Sequence, residues 1–374
     1  MDVTLNRTVL LDELQLIQGV VERRTTIPIL SNILLATEGD RLNLAATDLD
    51  VTVFTRCSAV VREQGRTTIH GKVFFDLVRS LPAETLDLSW KEGRIEVRSG
   101  SFTSQLASLD PADFPTLPDV PEGQGFAVDL AVLRRLIDRS IFAVSSEEGH
   151  FQYNASLLLV SQDALGMVAT DGHRLAWVRA PHVAANFPFE QQLLPRKVLN
   201  QLRHLATEEG APLYIARGEN HLAFRLANRV LLSRVLEARF PQYERVLVRD
   251  NPHRARMQRQ ELVASLRRVA LLASERTHGV QFGFDNNSLS LTSVGFDLGQ
   301  AAEEVACSYG GAPLKVFVNA NYLIDFLNAI DCPEVELQLR DADGPIVVTP
   351  IGPSASRSCN STSGQSIALR KSMR

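Results

Sequence analysis

The sequence predicts an α+β fold made of three copies of one unit, each with two helices packed on antiparallel sheets. Three observations carry that expectation. The stretch ATDGHRLAWV (169–178) reads as a strand end, a polar turn and a second alternating run; related runs occur at AATDLDVTVF (45–54) and LTSVGFDLGQAAEEV (291–305). Four kinds of segment recur in the same order three times, with a period of about 120 residues. Pro- and Gly-rich linkers, PTLPDVPEGQG (115–125) and VRDNPHRAR (248–256), separate the copies and set the units at 1–122, 123–252 and 253–374.

Each unit opens with a helical pattern: TVLLDELQLIQGVV (8–21), LAVLRRLIDRSIFAVS (130–145) and RQELVASLRRVALLAS (259–274). Apolar residues such as Leu133, Leu136 and Ile137 fall at helical spacing. Strand-like runs follow at 27–38, 154–162 and 279–294, the last with a hairpin turn expected at Asp285-Asn286-Asn287. A second helix comes next: KVFFDLVRSLP (72–82), PRKVLNQLRHLA (195–206) and NANYLIDFLNAI (319–330). Strands with charged Gly turns return at 85–99, 212–227 and 334–350. The first two units close alike, with FTSQLASLDPADFPTL (102–117) and VLLSRVLEARFPQYERVL (230–247). The third lacks that closing run, and from about 351 a Ser-rich tail reads as flexible.

The chain has 374 residues, 45% hydrophobic and 22% charged, an ordinary globular composition. It has no apolar run of the roughly 18 residues a membrane helix needs, and its first residues carry acids where a signal peptide carries bases. A cytoplasmic protein without membrane association is expected. The four cysteines lack metal-ligand spacing, which argues against a zinc site and a disulfide framework; no metal or cofactor is expected.

Net charge is −4, yet its distribution is uneven. Counted over 8–24, 72–80, 130–140, 195–206, 259–276 and 319–330, the six helical segments carry 14 basic against 8 acidic residues, the remainder 25 against 35. Arg134, Arg135, Arg139, Arg196, Lys197, Arg203, Arg267 and Arg268 are placed on polar helix faces. Helices sharing one surface would attract phosphate backbone, without any base-reading motif. Asp171 and His173 suggest an acid/base pair, but no nucleophile elbow, phosphate loop or HExxH accompanies them, so a turn Asp and a rim His are expected, and no enzyme.

Several segments together resemble the β subunit of bacterial DNA polymerase III, the β sliding clamp family. They are IPILSNILL (27–35), FFDLVRSLP (74–82), DPADFPTLP (110–118), ATDGHRLA (169–176), LLPRKVL (193–199), RFPQYERVL (239–247) and NANYLIDFLNAI (319–330). They stand in family order over residues 1 to about 348. The resemblance implies three DNA-clamp domains per chain and a ring-shaped head-to-tail homodimer. It implies helices lining the hole, double-stranded DNA encircled without sequence contacts, and partners including the polymerase III alpha subunit, the clamp loader delta subunit, other DNA polymerases and repair proteins. A repeat-built scaffold that binds proteins without encircling DNA is the alternative.

Site residues follow from the same resemblance. A partner-peptide groove is implied at Tyr153, Thr170, Gly172, His173, Arg174, Leu175, Pro241, Arg245 and Val246. DNA contacts are implied at Arg24, Lys72, Arg79, Arg196 and Lys197, and the charge count adds Arg134, Arg135 and Arg203. The dimer interface is implied at Leu106 on one side and Leu271 and Leu272 on the other. Charge sign alone suggests Asp297, Glu303 and Glu304 facing Arg94 and Arg98 across it. Family members end in an apolar strand and a short tail that walls the groove; here SIALRKSMR stands instead, with Ile367 to Leu369 as a candidate substitute strand.

Overall fold

The computed structural model describes residues 1–21, 26–121, 125–147, 152–181, 187, 189–205, 212–246, 251–295, 299–352 and 365–369. Among them are six α-helices: α1 (Arg7–Ile17), α2 (Gly71–Ser80), α3 (Leu130–Asp138), α4 (Arg196–His204), α5 (Arg259–Ala270) and α6 (Ala320–Asn328). Two fall in each repeat, as the periodicity predicts. Asn6, His70 and Asn319 cap α1, α2 and α6 with their side chains. Asn6 accepts from the Thr8 and Val9 amides at 3.0 and 3.1 Å, and Asn319 accepts from Asn321 at 3.0 Å. The helices bury one stripe, for example Leu262, Leu266 and Val269 of α5 or Leu323, Phe326 and Leu327 of α6. α1 ends well before residue 24, short of the predicted span. At Gly19 an added Cβ would stand 1.6 Å from the Gln201 amide nitrogen of α4, so the Gln201 side chain lies directly against this glycine.

Backbone contacts divide the chain into two compact units that do not follow the repeats. The first holds the first repeat and the second half of the middle one. Its sheet has twelve strands, all antiparallel, running from Phe102–Ala107 at one edge through Asp2–Asn6 and Val51–Glu63 to Arg229–Arg234, His221–Leu226, Pro212–Arg217 and Phe126–Asp129. The repeats meet where Val51–Phe54 pairs with Val230–Ser233.

The second unit holds the first half of the middle repeat and the third repeat. Nine strands run from Gln191–Pro195 through Ala155–Val160, Ala164–Thr170, Arg174–Pro181, Gln365–Leu369, Ile346–Ile351 and Glu334–Leu339 to His253–Gln258 and Ser308–Tyr309. A four-stranded sheet runs from Gly299–Ala306 through Ser288–Gly295 and Gly279–Asp285 to Leu314–Asn319. The expected hairpin at 285–287 forms, with Asn286 and Asn287 both at positive φ and Asp285 opposite Ser288.

Three expectations are corrected. The third repeat does not lack its closing strand; the candidate substitute at Ile367 to Leu369 is part of it. Gln365–Leu369 lies between Arg174–Pro181 and Ile346–Ile351, with Leu369 opposite Arg174 on one side and Ile346 on the other. Leu369 is buried in the same core as Phe284 and Phe326. A Ser-rich stretch separates this strand from its partner, and it hid the recurrence. The linker at 248–256 is partly strand: His253–Gln258 pairs with Glu334–Leu339 and buries Ala255 and Met257. Cys57 and Cys307 are free, but Cys332 is disulfide-bonded, which spacing along the chain cannot reveal.

Candidate functional site

The ATDGHRLA stretch becomes the end of strand Ala164–Thr170, a turn of three residues, Asp171 to His173, and the start of strand Arg174–Pro181. The turn is built by its own side chains. Asp171 Oδ1 accepts from the amides of His173 at 3.0 Å and Arg174 at 2.9 Å. Thr170 Oγ1 accepts from the Gly172 amide at 3.1 Å and donates to the Arg174 carbonyl at 2.7 Å. Gly172 sits at φ +87°. The first repeat forms the same turn. Asp48 accepts from the amides of Asp50 and Val51, Thr47 from that of Leu49, and Leu49 takes φ +80° where the second copy has glycine. The sequence repeat is therefore a repeat of hydrogen bonds.

Beside the second turn lies a groove of about 490 Å³, wholly within the second unit. Tyr153, Thr170, Gly172, His173, Arg174, Leu175, Pro241, Arg245 and Val246 all line it, so the structure brings together the nine residues named above. Four residues not anticipated join them: Gln242, Tyr243, Asp343 and Pro345. Gln242 and Tyr243 were legible as members of the RFPQYERVL run. Asp343 and Pro345 come from the third repeat and carried no local signal.

Each wall has a physical origin. The segment 236–246 lies over the sheet, with Leu236, Ala238, Phe240 and Tyr243 packed on Leu157, Val168, Leu175 and Leu193. Phe240 and Tyr243 meet edge to face at 6.3 Å. That packing lifts Pro241, Arg245 and Val246 to the rim, where Val246 is 39% exposed. On the opposite side the His173 ring stacks on Tyr322 of α6 at 6.3 Å. The site is apolar on its floor and polar at its edges.

Arg174 is tied inward. Its Nε donates to Asp171 Oδ2 at 3.0 Å, Nη1 to Asp325 Oδ2 at 2.7 Å and Nη2 to the Phe142 carbonyl at 2.6 Å. Its guanidinium also stands 4.6 Å from the centre of the Tyr322 ring and 5.4 Å from that of Phe142. With the side chain only 11% exposed, it orients the turn, α6 and the segment around Phe142 rather than offering a free charge. Asp171 likewise caps the turn and binds Arg174; His173 makes no hydrogen bond to it except through its backbone amide. The acid/base reading of this pair has no geometry behind it.

The cationic residues divide into two groups. Lys72 and Arg79 of α2 are exposed, each paired with Asp76, whose carboxyl is held low by the Lys72 hydrogen bond and nearby charges. Arg203 is exposed at the end of α4, and Arg134 and Arg135 are half-buried on α3. Others point into the protein. Lys197 binds Asp48 and the Val20 carbonyl, and Arg196 binds the Val144 carbonyl. Arg139 is 6% exposed, and its pKa is lowered by burial and by Arg135, so its placement on a polar face is corrected. Arg24 lies outside the described residues.

Of the candidate interface residues, Leu271 is 75% exposed just past α5, Leu272 is half-buried beside it, and Leu106 is half-buried on the edge strand Phe102–Ala107. Two of the charges suggested for this interface are engaged locally. Glu303 accepts from Arg268 and Ser265, Arg98 binds Glu96, and Asp297 lies outside the described residues.

The chain matches the family models of the DNA polymerase III beta subunit over its N-terminal domain at residues 1–118, its central domain at 127–242 and its C-terminal domain at 244–358. The beta sliding clamp of Pseudomonas aeruginosa is 34% identical over 350 residues, covering 93% of this chain and 95% of that one. The beta sliding clamp of Escherichia coli K12 is 32% identical over 344 residues, covering 91% and 94%. Among solved structures, a P. aeruginosa sliding clamp bound to griselimycin superposes with a TM-score of 0.89 at 32% identity, covering 100% of this chain and 99% of that one. A Caulobacter crescentus beta sliding clamp does so with 0.90 at 32%, with the same coverage. This chain is a member of the DNA polymerase III beta subunit family, the β sliding clamps.

Proposed function

We propose that this protein is a DNA sliding clamp that encircles duplex DNA without sequence specificity and tethers the replicative polymerase to it. The observation that carries the ring is the pattern of strand pairing. At each repeat boundary inside the chain, the strand after the ATD-type turn pairs antiparallel with the last strand of the next repeat: Val51–Phe54 with Val230–Ser233, and Arg174–Val178 with Gln365–Leu369. Two half-boundaries stay open. Among the described residues, Gly299–Ala306, which pairs with Ser288–Gly295, forms one sheet edge, and Phe102–Ala107, which closes the first repeat, forms another. A second copy, head to tail, supplies each with its partner and leaves no open edge at either junction. Leu106, Leu271 and Leu272 would then lie at the two junctions.

In a closed ring the exposed Lys72, Arg79 and Arg203, with Arg134 and Arg135, contact phosphates weakly, while linkage to the strand supplies persistence. The groove at Thr170–Leu175 and Pro241–Val246 docks a short segment of the polymerase alpha subunit, the clamp loader delta subunit, or other polymerases and repair proteins in turn. The protein tethers catalysts without a catalytic site of its own, in the cytoplasm. Identity spread over more than nine tenths of the chain to proteins named beta sliding clamp favours this reading over a scaffold. Primer extension by polymerase III on a long single-stranded template tests it: product length per binding event should rise with this protein and loader present. Unchanged product length would refute the tethering role.

A further inference from the structure

The first unit carries a second apolar pocket, of about 590 Å³, whose lining residues all lie within that unit. Its position is the repeat-equivalent of a smaller recess of about 430 Å³ in the second unit. The sheet registers make the correspondence explicit. Ala36 pairs with Arg66 as Leu159 pairs with Gln191, and Phe54 and Trp177 occupy matching positions five residues after the equivalent turn aspartates' next neighbours, Leu49 and Gly172. Three positions explain the difference in volume. Ala36, Phe54 and Leu117 stand in the first copy where Leu159, Trp177 and Tyr243 fill the second.

The charges differ as well. In the second copy Arg179 is paired with Asp163 at 2.9 Å, and Glu190 lines the recess. In the first copy the equivalent arginine is Arg56, and Arg66 joins it at the rim; both are exposed. Among the described residues neither guanidinium has a carboxylate in salt-bridge reach, and Glu38, on the same face, is held by Asn43 at 3.0 Å. An open apolar floor beneath two uncompensated arginines is complementary to one kind of occupant. We propose that this pocket is a second docking site, for a short acidic peptide segment of a partner protein that places one bulky apolar side chain over Phe54 and Leu117 and its carboxylates on Arg56 and Arg66.

The test uses the full chain and a labelled nonapeptide of glutamates with one central benzoylphenylalanine, followed by photo-crosslinking and peptide mapping. Crosslinks should fall within 51–63 or 114–120. Arg56→Glu combined with Arg66→Glu, both exposed and neither lining the groove of the second unit, should weaken binding by about tenfold or more. A variant that rebuilds the second copy's filling, Ala36→Leu with Leu117→Tyr, should abolish those crosslinks. Crosslinks confined to 153–175 and 241–246, affinity unchanged by charge reversal, or no binding up to about 1 mM, the weak limit for a specific peptide, would overturn the proposal.

Discussion

Replacing Arg174 by alanine separates a positioning residue from a ligand-binding one. The side chain is 11% exposed and Asp171 only 16%, so their ion pair is poorly screened. Removing the guanidinium leaves Asp171 and the Phe142 carbonyl short of a partner at about 1–3 kcal/mol each. Asp325 is 45% exposed and contributes less, since water replaces the lost contact. Loss of stacking over Tyr322 and Phe142 adds roughly 0.5–1 kcal/mol. The expected destabilisation is about 3–5 kcal/mol, in the range for breaking a buried ion pair. Lysine should recover little of it, because one ammonium cannot reach three acceptors in three directions. Urea unfolding of the full chain measures this, with peptide titration alongside. Loss of peptide affinity with stability changed by less than about 1 kcal/mol would refute the positioning role and make Arg174 a direct ligand contact.

Other predictions follow from equally local observations. Glu13 of α1 is 5% exposed and accepts from Thr55 and from both Nε and Nη2 of Arg229 at 2.9 Å, so Glu13→Ala should cost about 3–5 kcal/mol by taking the two-pronged carboxylate away from a guanidinium that is only 13% exposed; equal stability in urea would contradict this. Leu49→Gly should stabilise the chain by roughly 1 kcal/mol, since it relieves φ +80° at an exposed leucine, and a lower thermal midpoint would count against it. Glu303 is pulled down to about 2 by Arg268 and Ser265. Its contribution is present above the unfolded value near 4.5 and is lost as pH falls towards 2, so Glu303→Gln should flatten the stability profile across that window alone. Burial, with Glu13 nearby, pushes the Cys57 thiol up to about 12, so alkylation of native protein at pH 8 should be far slower than in urea.

Much of the architecture was legible because it is written three times. The helices announce themselves by apolar spacing, and the turns by Asp-Gly or Asn-Asn at positions that need positive φ. The groove was legible where it is local: Thr170 to Leu175 and Pro241 to Val246 are contiguous runs. Asp343 and Pro345 reach it only through folding of the third repeat. The charge count on the helices also had a limit. Composition cannot tell that Lys197 turns to Asp48 or that Arg139 is buried, because a long cationic side chain chooses between water and a partner brought in from elsewhere. The closing strand showed only as a three-residue candidate, Ile367 to Leu369, for a different reason. Gln365–Leu369 has five residues and takes its register from two neighbouring strands, so its strand character is conferred by pairing as much as by its own pattern.

Topological linkage to DNA is the central claim, and one measurement addresses it directly. The protein is loaded with clamp loader and ATP onto a nicked circular duplex, isolated, and the circle is then cut once. Encirclement predicts retention on the intact circle and rapid loss after cutting, with little change as salt is raised on the uncut circle. Equal retention before and after cutting, falling steeply with salt, would mean ordinary phosphate binding and would contradict the ring.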